Sequence, residues 1–273
     1  MFGAIDVGGT KTLVGVFNSA GELVEDLRFE TSKKYSDFLL DLAKIVEKLS
    51  TKQLVSVTAG IPGVVDRSRG VGLTFGNLPW QNAPFRDDLE KIFHCPIIVE
   101  NDANLAGLYE SKLLVKKYNK CLYITVSTGI GAGFCVNGHI EPNTQDIEVG
   151  SIMLEHEGKL MQWERFASGK AITEKYGKKA SDITDQKAWD DIAKNIAVGV
   201  IDLIAVLTPD VVVFGGGVGS HFEKFKDILK NDLMEYKTNM ISIPPLQKAV
   251  KSDDAVLYGC FALGKDKHEA ANR

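Results

Sequence analysis

Apolar and polar positions alternate over residues 2–7, break at Gly8-Gly9-Thr10-Lys11 and resume over residues 12–17. That pattern predicts strand, glycine turn, strand. Asn18-Ser19-Ala20-Gly21 is a second turn, and residues 22–30 are a third strand. The period then changes. Phe38, Leu39, Leu42, Ile45, Val46 and Leu49 recur at three- and four-residue spacing, so residues 35–49 are expected as an amphipathic helix. A strand over residues 54–59 runs into the loop Gly60-Ile61-Pro62-Gly63-Val64-Val65-Asp66, and Asn77-Leu78-Pro79-Trp80 closes this section. Residues 84–93 are helical. The short apolar run Pro96-Ile97-Ile98-Val99 then meets Glu100-Asn101-Asp102, where a helix over residues 103–114 begins.

The next block repeats the first. Residues 121–126 are a strand, Ser127-Thr128-Gly129-Ile130-Gly131-Ala132-Gly133 a glycine turn, residues 134–136 a strand, and Asn137-Gly138 a hairpin signal. Residues 187–207 form a long helix ended by Pro209. An apolar strand over 211–214 leads straight into Gly215-Gly216-Gly217-Val218-Gly219. Helices are expected over 221–233 and 255–263, with a frayed polar tail after Lys265. Two glycine hairpins, each opening an α/β block, predict a duplicated domain with two lobes and a cleft between them.

Composition narrows the class. The 273 residues, 44% hydrophobic and 25% charged, suit a soluble globular protein with an ample core. A net charge of −4 gives no reason to expect nucleic-acid binding. No apolar run approaches about 18 residues, so no membrane span is expected. The start of the chain has no basic region or cleavage signal, so no signal peptide is expected. Cys95, Cys121, Cys135 and Cys260 are scattered, which reads as reduced thiols of a cytoplasmic protein.

The candidate chemistry is two-sided at each place. Asp102 at a strand-to-helix junction is either an N-cap or, at the carboxyl end of a strand where α/β sheets bind ligands, a base for a substrate hydroxyl. The turn at Gly8-Gly9 is either a plain hairpin or a backbone cradle for phosphate. It is not a Walker loop, because the Gly-x-x-x-x-Gly-Lys spacing fails and a strand follows. Neither Gly129-x-Gly131 nor Gly217-x-Gly219 extends to the dinucleotide fingerprint. Asn77 and Trp80 suit a sugar site, with Trp80 as local core the alternative.

Taken together, Asp6-Val7-Gly8-Gly9-Thr10-Lys11, Glu100-Asn101-Asp102-Ala103-Asn104-x-Ala106, Thr128-Gly129-Ile130-Gly131-Ala132-Gly133 and Gly215-Gly216-Gly217-Val218 resemble the ROK family of bacterial sugar kinases and sugar-responsive repressors. The loop at 60–66, Asn77-Leu78-Pro79-Trp80, Ala167-Ser168-Gly169 and Ala255-Val256-Leu257-Tyr258-Gly259 are similar too, so the resemblance spans essentially the whole chain. It implies an α/β, actin-like ATPase (ribonuclease H-like) fold with two lobes and a central cleft. Residues 1–115 with 255–273 would form the smaller lobe and 116–254 the larger. The implied activity is ATP-dependent phosphorylation of a hexose, glucose-type above all, with Asp102 as general base. Gly63, Asn77, Asn101, Asp102, Glu148 and Glu164 would hold the sugar. Asp6, Gly8, Gly9, Thr10, Lys11, Thr12, Thr128, Gly129, Gly215, Gly216 and Gly217 would hold the nucleotide. Asp6 would organise Mg²⁺ through water. Dimers are common in the family.

Two departures qualify that picture. The family's cysteine-rich zinc segment should lie between Glu148 and Glu164, where this chain has no cysteine, so no zinc is expected. The family histidine that follows Glu-x-Gly is Ser151 here, with His156 the alternative source of that contact. The acceptor could then be an N-acetylhexosamine or fructose, and the donor polyphosphate. A non-catalytic sensor is disfavoured, because Asp102 is intact and Asp6 leaves no room ahead of it for a helix-turn-helix.

Overall fold

The computed structural model describes residues 1–51, 53–251 and 254–272. The chain forms two compact units, Met1–Tyr109 with Asp254–Arg273, and Glu110–Asp253. In the first, β1 (Phe2–Val7), β2 (Lys11–Phe17) and β3 (Leu23–Glu30) form an antiparallel meander. After α1 (Tyr35–Lys48), β4 (Val57–Ile61) pairs parallel with β1. Then β5 (Val64–Asp66), β6 (Val71–Thr74) and β7 (Gln81–Ala83) make a small separate sheet. Past α2 (Phe85–Phe93), β8 (Ile97–Asn101) pairs parallel with β4 and runs directly into α3 (Asp102–Leu114).

The resulting order is β3-β2-β1-β4-β8. Every residue of β4 is buried, as befits a strand with parallel neighbours and covered faces. Phe38 and Leu42 of α1, Phe85 and Leu89 of α2, and Trp80 pack with Ile5 and Val7 of the sheet. Register decides what meets at the working edge. Asp6 lies opposite Gly60, Gly60 opposite Glu100, and Ile61 opposite Asn101.

The second unit repeats the plan. β9 (Lys120–Val126), β10 (Ile130–Val136) and β11 (His139–Ile140) form the meander. A hairpin follows, β12 (Met153–His156) with β13 (Lys159–Gln162), then α4 (Glu164–Ala167), α5 (Gly169–Tyr176) and the long α6 (Gln186–Leu207). β14 (Val211–Gly215) pairs parallel with β9. α7 (Gly216–Gly219), α8 (Lys226–Tyr236) and β15 (Leu246–Lys248) complete the unit. The order β11-β10-β9-β14-β15 has the strand directions of the first sheet. α9 (Ala255–Ala271) then returns to the first unit.

Several expectations change. Gly131 and Gly133 lie inside β10, so the turn before it is only residues 127–129. The third glycine segment is a short helix rather than a turn. The helix expected over 221–233 is a 3₁₀ turn followed by α8. The tail after Lys265 is helical to Ala271, because it docks: His268 meets Phe2 at 5.8 Å between ring centres, and Lys265 Nζ donates to the Ser19 carbonyl at 3.2 Å. The small sheet and the β12–β13 hairpin went unanticipated, since their strands are three or four residues long and carry little periodicity. Among the described residues, no helix is long and apolar enough to cross a membrane.

Candidate functional site

In the first unit the turn after β1 is closed by the Gly8 N–H donating to the Lys11 carbonyl at 3.0 Å. Thr10 and Lys11 are exposed, whereas Thr12 points inward, its hydroxyl paired with that of Thr31 at 2.9 Å. Asn77 is exposed and its Cβ lies beside Gly9, so the Asn77 loop and the glycine turn are neighbours. Trp80 is core, 4% exposed, with its indole N–H donating to the Lys33 carbonyl at 2.9 Å; its ring is not offered to a ligand.

At the β8–α3 junction the two polar residues divide the work. Asn101 Oδ1 accepts from the Ala103 and Asn104 N–H groups at 2.9 and 3.1 Å, the bonding of an N-cap. Its amide nitrogen donates to the Gly63 carbonyl at 3.0 Å. The capping role therefore falls to Asn101, and Asp102 occupies the first helical position, where its Oδ1 accepts from Ala103 N–H at 2.8 Å.

Asp6, at the end of β1, completes the acidic edge. Its carboxyl pKa is raised to about 7 by burial above all, then by the like charges of Asp102 and Asp254. Such a carboxyl is poorly compensated by protein alone, and a divalent cation would restore its ionised form. Among the described residues no three His, Cys, Asp or Glu side chains are grouped to hold a metal ion. Mg²⁺ usually keeps waters and takes one or two carboxylates beside phosphate oxygens. Asp6 would be such a carboxylate, reaching the ion through water.

In the second unit, Glu148 precedes the 3₁₀ turn Val149–Ser151, and Glu164 opens α4. They share a corner with the turn at 127–129. A Cβ on Gly129 would lie 2.8 Å from Glu164 Oε2, and one on Gly150 would lie 3.0 Å from the same atom. Both glycines are thus needed for the carboxylate to sit there. Partial burial, then the charges of Glu164 and Asp146, raises the Glu148 pKa above the ordinary carboxylate range. Ser151 is exposed, and the His156 ring stacks on Phe166 at 4.2 Å between centres.

Beside this corner is a cavity of about 590 Å³ lined by Ser127, Thr128, Gly169, Lys170, Gly217 and His221, among others. The N-terminus of α5 faces the turn: Gly169 N–H donates to the Ser127 carbonyl at 2.6 Å, and Ser168 Oγ caps Ala171 N–H at 3.3 Å. His221 is held below its usual pKa by burial first and then by Lys224 and Lys248. Lys170, Lys179 and His221, which also line this cavity, carried no signal in the sequence, because only the fold brings their separate segments together. Gly216 and Gly217 begin α7, and Gly215 ends β14.

Two sheets of one topology, each opened by a glycine hairpin, define the actin-like ATPase (ribonuclease H-like) fold, and solved structures agree. A ROK family glucokinase from Streptomyces griseus, in complex with glucose and AMPPNP, superposes with a TM-score of 0.81 at 22% identity, covering 96% of this chain and 98% of that one. The chain belongs to the ROK family, whose profile matches residues 2–267. A provisionally named fructokinase of Bacillus subtilis (strain 168) is 30% identical over 246 residues, 84% of this chain and 81% of its own length. An N-acetyl-D-glucosamine kinase of Haemophilus influenzae (strain 86-028NP) is 26% identical over 301 residues, 96% of this chain and 99% of its own.

Proposed function

We propose that this protein is an ATP-dependent sugar kinase that moves the γ-phosphoryl group onto a hydroxyl of a hexose, glucose-type by preference. The observation that carries the reading is the β8–α3 junction. Asn101 performs the capping, and Asp102 stands at the first turn of α3 with a carboxylate beside Asp6. Asp102 orients the attacking hydroxyl and accepts its proton. In the first unit Asn101, Gly63 and Asn77 hold sugar hydroxyls, and the turn closed by Gly8 presents the N–H groups of Gly9 and Thr10 to phosphate. In the second unit Glu148 and Glu164 hold further hydroxyls, Thr128 and Gly129 meet phosphate, and Gly215–Gly217 approach the adenosine. Mg²⁺, when bound, neutralises charge on the transferring phosphoryl group, in a reaction that depends on positioning and charge stabilisation.

A second reading for the acceptor rests on Ser151. An exposed hydroxyl stands where the family carries an imidazole, which favours an acceptor other than glucose, such as fructose or an N-acetylhexosamine. A coupled assay across glucose, fructose, N-acetylglucosamine and N-acetylmannosamine, each with ATP or polyphosphate, decides. ATP-dependent turnover of one hexose is expected. Turnover with polyphosphate alone would replace the donor assignment, and sugar binding without turnover of any acceptor would replace the kinase with a sensor.

A further inference from the structure

Beneath the junction that presents Asn101 and Asp102 lies an ion pair that no step of the proposed reaction uses. Glu100 is 5% exposed. Its carboxylate accepts from Arg67 Nε at 2.7 Å and Arg67 Nη2 at 2.5 Å, a two-point fork. It also accepts from the Asn101 backbone N–H at 2.8 Å and from Asn104 Nδ2 at 3.0 Å. Arg67 follows β5, and its remaining Nη1 donates to the Val65 carbonyl at 3.4 Å. The same turn is fixed from α2, where Arg86 Nη2 and Nη1 donate to the carbonyls of Arg67 and Ser68 at 2.7 and 2.8 Å. With Asn101 Nδ2 on the Gly63 carbonyl, the 63–67 segment is tied to the β8–α3 junction at two points, one neutral and one ionic.

Stability does not explain an ion pair in this place. Well-packed apolar residues of similar volume are often as stable or more so. An apolar pair, however, could not hold the Asn101 N–H and the Asn104 amide while gripping the loop that follows β4. We infer that Arg67 and Glu100 are positioning residues. They fix the backbone at Asn101, and through it the direction in which the Asn101 amide and the Asp102 carboxylate meet the substrate. Neither touches substrate, and the inference rests on the sugar-kinase reading above. A lysine cannot replace Arg67, because an ammonium lacks the planar fork.

The test compares Arg67→Met, Arg67→Lys, Glu100→Gln and the Arg67→Met/Glu100→Gln double variant with wild type, each assayed where circular dichroism shows it folded. Positioning predicts that kcat falls about 10- to 100-fold in both non-lysine single variants, the scale of a misplacement near 1 Å. Sugar KM rises, ATP KM stays within about twofold, and Arg67→Lys recovers only part of the loss. The double variant recovers melting temperature, since no unpaired charge is left buried, but does not recover kcat. If kcat and sugar KM stayed at wild-type values while only Tm fell, or if kcat returned with Tm in the double variant, the pair would be structural and the inference wrong. A readout independent of activity separates this from failure of the kinase reading. The Asn101 amide should exchange hydrogen faster in Glu100→Ala, which removes the acceptor, than in wild type, and unchanged exchange there would refute the positioning bond even if the enzyme were a kinase.

Discussion

Asp102 and Asp6 carry one type of side chain, yet their surroundings set them different tasks. Asn101 relieves Asp102 of capping, so Asp102→Asn should leave folding and sugar binding near wild type while kcat drops below about a tenth. Calorimetric sugar titration beside steady-state kinetics checks it, and a variant above that threshold would remove Asp102 as the base. At Asp6 the question is electrostatic. Its folded pKa of about 7 lies above the ordinary aspartate value of 3.8, so between those values the folded form holds the extra proton. Stability therefore falls as pH rises through that window, and the cost is complete above pH 7. In Mg²⁺-free buffer, Asp6→Asn should match wild type near pH 4 and exceed it at pH 8 by at most about 4 kcal/mol, read from urea unfolding. A pH-independent difference would contradict the burial and like-charge account. At this scale the sequence was most legible where polar residues cluster beside glycine. Arg67–Glu100 was not, because its partners are 33 positions apart and Arg67 carries no local signature.

The β12–β13 hairpin shows how an element's sequence can hide its role. It occupies the stretch between Glu148 and Glu164 and is held by backbone pairing from Met153–Gln162 to His156–Lys159. Trp163, fully buried, anchors its end: the indole N–H donates to the Asn195 carbonyl at 3.0 Å, and the ring fills the slot left by Gly199 on α6. That anchor packs the corner holding Glu164 against α6. Purified protein should contain no stoichiometric zinc, and a chelator should leave its melting temperature unchanged. One zinc per chain by elemental analysis would overturn this. A second expectation concerns the same corner. Among the described residues beyond its chain neighbours, a Gly129 Cβ would meet only the Glu164 carboxylate, so Gly129→Ala should displace that group while sparing the strands. Losing a hydrogen bond to a charged group predicts a sugar KM raised about tenfold or more with little change in Tm. An unchanged KM would exclude Glu164 from the sugar. β1 and β2 were legible as alternation. Gly131 and Gly133 misled, because only pairing with Thr125 and Tyr123 makes them strand.

Over the whole molecule the duplication was legible as a repeat of strand, glycine turn and strand, because a meander must announce its turns. Placing residues 255–273 with the first lobe came from the family resemblance and not from the pattern, since helix docking depends on partners at the far end of the sequence. Leu105, Phe17 and Ala4 bury Leu257 and Cys260 there. Each unit has its own apolar core, and the chain's three tryptophans divide between them: Trp80 in the first, Trp163 and Trp189 in the second. All three are at most 4% exposed. Native emission should therefore lie to the blue, and each unit owns an optical reporter. A chain carrying Trp163→Phe and Trp189→Phe would fluoresce from the first unit alone, and Trp80→Phe from the second alone. Red shifts of those two proteins in rising urea would show, unit by unit, where the chain loses its order.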